Sequence, residues 1–342
     1  MPMIDLHRCF IVAELSANHM HDYERAVSLI KLAKEAGADA VKLQTYTADT
    51  LTLNCKNKYF IVKDPKWAGY SLHEVFLQAY TPWEWQPKLK KIVEDLGMVF
   101  FSTPFDHTAV DFLEKMNVPC YKISSFELID LPLIQRVAAT GKPLFLSTGM
   151  GSESEIEEAV ALFKNSGGTD LVLLKCTSAY PAPAEETNLL TIPYMRDRFG
   201  VSVGLSDHSL GIEVPLAAVT LGACVIEKHF CLSREEEGPD SFFSLEPQEF
   251  KAMVNGVRKV EAALGKVSFE VTPKQMACLV TRRSLFVAED IKAGEIFTAR
   301  NVRSVRPGHG LHTRYYDEIM GKCASKNIKF GTPLNWAHVK TS

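Results

Sequence analysis

The sequence predicts a (β/α)8 TIM barrel followed by a small β-rich domain, and three observations carry that expectation. Eight short Val-, Ile- and Leu-rich segments alternate with amphipathic helical segments over the first ~260 residues, the pattern of a closed parallel sheet wrapped by helices. No Gly-x-Gly-x-x-Gly follows the first strand, which disfavours a dinucleotide-binding sheet. After Leu264 the texture changes to short strand-like pieces punctuated by glycine. The expected division is a barrel over residues 1–265, a linker over 266–281 and a β-rich domain over 282–342.

The first strand is read at Phe10–Leu15, followed by a helix over Asp22–Ala36 that stops at Gly37. Ala40–Tyr46 is the second strand, and a long excursion to Tyr80, centred on Trp67, Gly69 and Tyr70, reads as a loop with short elements. A helix from Pro82 to Leu96 precedes strand Val99–Pro104, and helix 107–116 leads to strand Cys120–Ser125. Helix 131–140 and strand Pro143–Gly149 come next, then a helix capped by Ser152 or Ser154 and running to Lys164. Leu171–Ser178 is the sixth strand, and strands beginning at Val201 and Ala223 are the seventh and eighth. Helix Pro247–Leu264 closes the barrel, and four short strands follow Arg282.

Composition narrows the function. At 342 residues, 46% hydrophobic and 23% charged, the chain has ample material for a full core. Its net charge of −3 gives no basic excess, so neither nucleic acid nor a membrane surface is an expected partner. No apolar run is long enough to span a bilayer, and the opening MPMIDLHRCFIVAEL has no signal-peptide pattern. The eight cysteines lack a Cys-x-x-Cys, and Cys120, Cys176, Cys224 and Cys231 fall in or beside strands, so reduced thiols in a cytoplasmic protein are expected.

In a barrel the reactive face lies at the carboxyl ends of the strands. Those ends read Glu14; Lys42 and Gln44; Ser102 and Thr103; Lys122, Ser124 and Ser125; Ser147 and Thr148; Lys175, Thr177, Ser178 and Tyr180; Ser206, Asp207 and His208; Glu227, Lys228 and His229. The seventh and eighth strands are adjacent, so His208 and His229 should emerge side by side as a divalent-metal site, although each alone could merely cap its strand. Asp207 is read as support for the His208 ligand or as a cap. Lys42, Lys122 and Lys175 sit in otherwise apolar strands and need anionic or acceptor partners, because an unpaired buried ammonium is costly. Together with the hydroxyls this points to a small ligand carrying phosphate or carboxylate. Three readings stand at this level: a Schiff-base aldolase using a strand lysine, a metal-dependent carbon–carbon-bond enzyme, and a binding module without turnover. The histidine pair favours the second. His19 and His21 read as exposed loop residues, and Trp83 and Trp85 as packing residues at a helix start.

The strings AELSANH (13–19), GADAVKLQTYTADTLTL (37–53), FSTPFD (101–106), YKISSFE (121–127), LSTGM (146–150), LKCTSAYP (174–181), GLSDH (204–208), EKHF (227–230) and GPDSFFSLEPQEF (238–250) resemble, in order, the sialic-acid synthase family. Residues 282–311 resemble that family's C-terminal antifreeze-like (SAF) domain, so the likeness covers nearly the whole chain. AELSANH, QTYT and SSFE resemble its pseudaminic acid synthase branch; neuraminate and legionaminate synthases are the alternative branches. The resemblance implies condensation of phosphoenolpyruvate with an N-acylated amino sugar and water, with C–O cleavage and release of phosphate. It implies that His208 and His229 hold Mn2+ or Mg2+, which polarises the sugar aldehyde. Lys42, Thr103, Lys122, Ser125, Ser147, Ser178 and Ser206 would hold phosphoenolpyruvate, neuraminate synthases carrying Asn at the position of Ser178. Gln44, Tyr180 and Asp240 would face the sugar, with Glu14 moving a proton. Arg306 matches an arginine that reaches a partner subunit's active site, implying a domain-swapped homodimer.

Overall fold

The computed structural model describes residues 6–63, 68–236 and 238–340; Trp67, placed at the centre of the first long excursion, lies outside them. The chain divides into two compact units, Met1–Gly265 and Lys266–Ser342. In the first, eight parallel strands close in the order β1-β2-β3-β4-β5-β6-β7-β8. They are β1 (Phe10–Glu14), β2 (Ala40–Thr45), β3 (Val99–Pro104), β4 (Tyr121–Ile123), β5 (Leu144–Ser147), β6 (Leu171–Cys176), β7 (Ser202–Asp207) and β8 (Val225–His229). The helices are α1 (Tyr23–Ala36), α2 (Ala48–Leu51), α3 (Leu72–Ala79), α4 (Gln86–Asp95), α5 (His107–Lys115), α6 (Leu131–Ala138), α7 (Glu153–Asn165), α8 (Thr191–Phe199), α9 (Glu213–Thr220) and α10 (Pro247–Leu264).

Local chemistry explains these boundaries. Asp22 caps α1 by accepting from the Arg25 N–H, and Gly37 ends it at φ 94°, a left-handed conformation that costs glycine little. Ser152 caps α7 in a reciprocal box with Glu155. The excursion after β2 is more ordered than its composition suggests: α2 and α3 carry their own capping boxes, Thr47 with Thr50 and Ser71 with Glu74. The helix expected from Pro82 opens instead as a 3-10 turn at Trp83–Trp85, because Pro87 cannot donate within the first turn of α4.

Strand alternation sorts the side chains into two cores. Outward-facing residues such as Ile11, Val41, Phe100, Tyr121 and Leu173 pack under the helices. Inward-facing Phe10, Val12, Ala40, Val99, Phe101, Phe145, Leu174 and Val225 fill the lower half of the barrel. One inward position further along, the strands turn polar: Glu14, Lys42, Thr103, Lys122, Ser147, Ser206 and Glu227 are all buried. Gly204 belongs to this packing, since a Cβ there would lie 2.7 Å from Val225 Cβ. Among the described residues no helix is long and apolar enough to cross a membrane.

The second unit has its own small core of Leu285, Val287, Ile291, Phe297, Val302 and neighbours. Of the four strands expected here, β9 (Ser284–Val287) pairs antiparallel with β10 (Val302–Val305). The other two shrink to isolated bridges such as Ile291 with Ile328 and Ile296 with Cys323. Two further short helices, α11 (Pro273–Met276) and α12 (Tyr316–Ile319), complete the unit; α11 lies within the segment expected to be a plain linker.

Candidate active site

The carboxyl ends of the strands surround a cavity of about 570 Å3. Its floor is ionic. Parallel register sets Glu14 beside Lys42 on one side and His229 on the other, and Ser206 beside Glu227. Lys42 Nζ lies 2.7 Å from Glu14 Oε2 and 3.6 Å from Glu227 Oε2; Lys122 Nζ lies 3.2 Å from Glu227 Oε1. Ser206 Oγ donates to Glu227 Oε1 at 3.0 Å, Lys42 Nζ to Thr103 Oγ1 at 3.2 Å, and Gln44 Nε2 to Glu14 Oε1 at 3.2 Å. Two lysines and two glutamates thus pair in a buried layer, the arrangement by which buried charge becomes tolerable.

The two carboxylates differ. Burial disfavours ionised Glu227, but Lys122 and Lys42 outweigh it and hold its pKa well below the usual carboxylate range. At Glu14 burial wins over Lys42, and the pKa is pushed up. Its Oε2 contacts Lys42 as a charge yet is not aligned to accept a hydrogen bond. Lys122 is shifted down by burial, which Glu227 only partly offsets, whereas the carboxylates outweigh burial at Lys42 and push it up.

Beside this floor stand the two histidines, ring centroids 5.3 Å apart, with Phe243 packed against both. His208 Nδ1 lies 2.9 Å from the Thr177 carbonyl, which fixes Nδ1 as the protonated nitrogen and leaves Nε2 with its lone pair. His229 Nδ1 is buried without a hydrogen-bond partner, and burial, followed by the closeness of His208, pushes its pKa well down, so the ring is a neutral donor. Among the described residues no cluster of three or more His, Cys, Asp or Glu is set to hold a metal. Two imidazoles alone are an incomplete coordination sphere, so a cation held between them would take its remaining ligands from water or substrate.

Of the expected site residues, Lys42, Gln44, Thr103, Lys122, Ser125, Ser147, Tyr180, Ser206, His208, His229 and Asp240 line this one cavity. Ser147 Oγ is buried without a hydrogen-bond partner, and Ser125 Oγ instead accepts from the Gly149 N–H at 3.0 Å. Ser16 Oγ donates to Asp240, and the Tyr180 ring lies 4.5 Å from that of His208. Glu14 sits just under the lining, against Lys42. Ser178 also lies off the lining, 3.9 Å from Cys176 Sγ. Arg306 is exposed in the second unit, just past β10.

Three expectations change, and one alternative weakens. Lys175 has the outward parity of Leu173 and donates to the Cys176 carbonyl at 2.9 Å and to Thr177 Oγ1 at 3.3 Å, so it is no part of the anion floor. Asp207 likewise points outward: it accepts from Ser209 N at 3.0 Å and pairs with buried Lys228 rather than touching His208. His19 is fully buried and bonds Thr81 Oγ1 at 2.9 Å, not exposed on a loop. The Schiff-base alternative, already second to the histidine pair, loses further support, because both floor lysines are ion-paired rather than set in an apolar pocket or beside a lone cation. Residues given no site role also line the cavity: Glu227, named only as a strand end, Glu127, Cys176, and an apolar set from the first excursion. Cys176 Sγ is 3.9 Å from His208 Nδ1; burial raises its pKa, but that contact prevails and brings it down to about 7.

A barrel carrying an ionic floor and an imidazole pair at its carboxyl mouth, with a small β unit after it, defines the class. The chain belongs to the NeuB family, whose model matches residues 29–269, and a SAF domain matches residues 282–340. It is 47% identical over 327 residues to the pseudaminic acid synthase of Campylobacter jejuni, covering 96% of this chain and 95% of that one. The Helicobacter pylori pseudaminic acid synthase is 43% identical over 333 residues, covering 97% and 98%, and an N,N'-diacetyllegionaminic acid synthase of C. jejuni is 38% identical over 336, covering 95% and 98%. Among solved structures, the N-acetylneuraminic acid synthetase of Leptospira borgpetersenii superposes with a TM-score of 0.71 at 31% identity, covering 80% of this chain and 91% of that one.

Proposed function

We propose that this protein condenses phosphoenolpyruvate with 2,4-diacetamido-2,4,6-trideoxy-L-altrose and water, giving pseudaminic acid and phosphate. The observation that carries the reading is the cavity floor, where Lys42, Lys122 and the unpartnered Ser147 hydroxyl lie beside the two histidines. The relatives named above support the choice of sugar.

In this reading Lys42, Lys122, Thr103, Ser125, Ser147 and Ser206 bind the phosphate and carboxylate, with Ser178 behind them. Gln44, Tyr180 and Asp240 orient the open-chain sugar. His208 and His229 hold a divalent cation, manganese or magnesium, which when bound supplies Lewis-acid polarisation of the aldehyde. The enol carbon attacks the aldehyde carbon, water adds to the phosphate-bearing carbon, and the C–O bond to phosphate breaks. Lys42 and Lys122 balance anionic charge throughout, held in place by Glu14 and Glu227 before the reaction begins. Glu14, whose pKa burial raises above the ordinary carboxylate value, moves a proton between the attacking water and the new hydroxyl. Arg306 completes the cavity of a second copy, making the enzyme a homodimer with exchanged caps. The eight unbridged cysteines support a cytoplasmic setting.

Phosphate release is the test, with phosphoenolpyruvate and Mn2+ and either the trideoxy-altrose or N-acetylmannosamine, before and after EDTA. Release with the trideoxy sugar alone, lost on chelation, is expected. Release with N-acetylmannosamine moves the protein to the neuraminate branch, and release with neither sugar refutes the synthase reading.

A further inference from the structure

The cavity has two unlike ends. On the β7–β8 side stand the imidazoles, and at its base the floor lysines. The opposite side is carbon. Tyr46, just past β2, Phe105, just past β3, and Leu51, Leu72, Val75 and Phe76 of α2 and α3 line it. The Tyr46 ring meets Phe76 edge-on at 5.9 Å and Phe105 at 5.2 Å, so the three aromatics form one packed surface. The polar atoms on this side are the Tyr46 phenol and the Thr52 hydroxyl, with Gln44 and Thr103 lower on the same two strands.

We infer that this wall selects a sugar whose far terminus is a methyl group rather than a hydroxymethyl, with Val75 and Phe76 as specificity-determining residues. The inference rests on the reading above, in which the aldehyde end of an open-chain hexose is held at His208 and His229. In an eight-stranded ring β3 stands across the barrel from β7, so a chain held by its first carbon at β7 runs toward Phe105 and α3. Its sixth carbon is then the part that meets the wall. A methyl group there gives up only apolar hydration, whereas a hydroxyl loses its water and finds carbon. The wall is thus matched to a 6-deoxy terminus, and a pocket of this kind discriminates against an added hydroxyl by about 10^2.

The experiment compares kcat/KM for two sugars identical but for a methyl or a hydroxymethyl at the sixth carbon, in the wild type, Phe76→Gln, Val75→Asn and Phe76→Leu. Both sugars are assayed on one preparation, so a partly misfolded variant cancels from the ratio. The wild type should prefer the deoxy sugar by about 10^2, the two polar variants by less than about tenfold, and Phe76→Leu by nearly the wild-type ratio. A wild-type ratio near one, or a ratio unmoved in both polar variants, overturns the inference while leaving the synthase reading intact. A wild type inert on both sugars overturns the two together.

Discussion

Replacing Glu227 by Gln removes one of two anions from the buried floor and leaves two ammonium groups facing Glu14 alone. With an effective dielectric constant of about 20, contacts at 3.2 and 3.6 Å are each worth about 5 kcal/mol before desolvation. The same ammonium groups are dehydrated with or without Glu227, so most of that attraction is lost net, and breaking such a pair costs about 3–5 kcal/mol. In a barrel of this size each kcal/mol moves the melting temperature by roughly 2–4 °C, which puts the variant about 10 °C below wild type. A ligand bearing phosphate and carboxylate brings replacement anions to the same two lysines. Saturating phosphoenolpyruvate should therefore raise the melting temperature of Glu227→Gln more than that of the wild type, where Glu227 competes for the lysines. Scanning fluorimetry on EDTA-treated protein, with and without phosphoenolpyruvate, measures both quantities while keeping metal out of the comparison. An unliganded variant within about 2 °C of wild type, or an equal gain from ligand in both proteins, would refute the reasoning that Glu227 stands in for the ligand's charge.

Further outcomes follow from the same geometry. Lys228→Met strands the Asp207 carboxylate behind β7 and β8 and should cost about 3–5 kcal/mol in denaturant unfolding, with part of the loss recovered in the double variant Lys228→Met/Asp207→Asn. Because burial raises the Glu14 pKa above its ordinary 4.5, its contribution to stability is complete below pH 4.5 and falls away as pH rises through the raised value. Glu14→Gln should remove that falling limb from a plot of unfolding free energy against pH. His208→Ala and His229→Ala should each weaken Mn2+ binding by more than about tenfold in calorimetry, and an unchanged affinity in either would remove that residue from the cation site.

The strands, most helices and the cavity lining were legible because barrel residues obey two simple periods. Polar residues at the carboxyl ends of apolar strands mark the mouth, and the positions of Lys42, Lys122, Ser147, Ser206 and the histidines followed from that. Parity would also have removed Lys175, since it shares the outward face of Leu173, but parity is decisive only once the inward set is known. Glu227 is legible as a strand end but not by role, for a different reason. Its role depends on cross-strand register, which sets it beside Ser206 and across from two lysines on β2 and β4. The apolar wall could not be read at all: Leu72, Val75 and Phe76 show an ordinary amphipathic helix, and which surface it covers is a tertiary fact. In the second unit, strands such as those around Ile291 and Ile328 shrink to single bridges because so small a core cannot hold long ladders.

The stretch carrying α2 and α3 has a consequence beyond recognition. It holds itself together: His73 Nε2 meets Asp49 Oδ1 at 2.9 Å across the two helices, Lys56 Nζ meets Glu74 Oε1 at 2.6 Å, and each helix is capped from within. Such a self-supporting appendage behaves as an exchangeable tool head on a fixed handle. Its inner surface can be rewritten, residue by residue or wholesale, while the ionic floor on β1, β2, β4 and β8 stays untouched. A lineage built this way can change the acceptor it elongates without relearning the reaction.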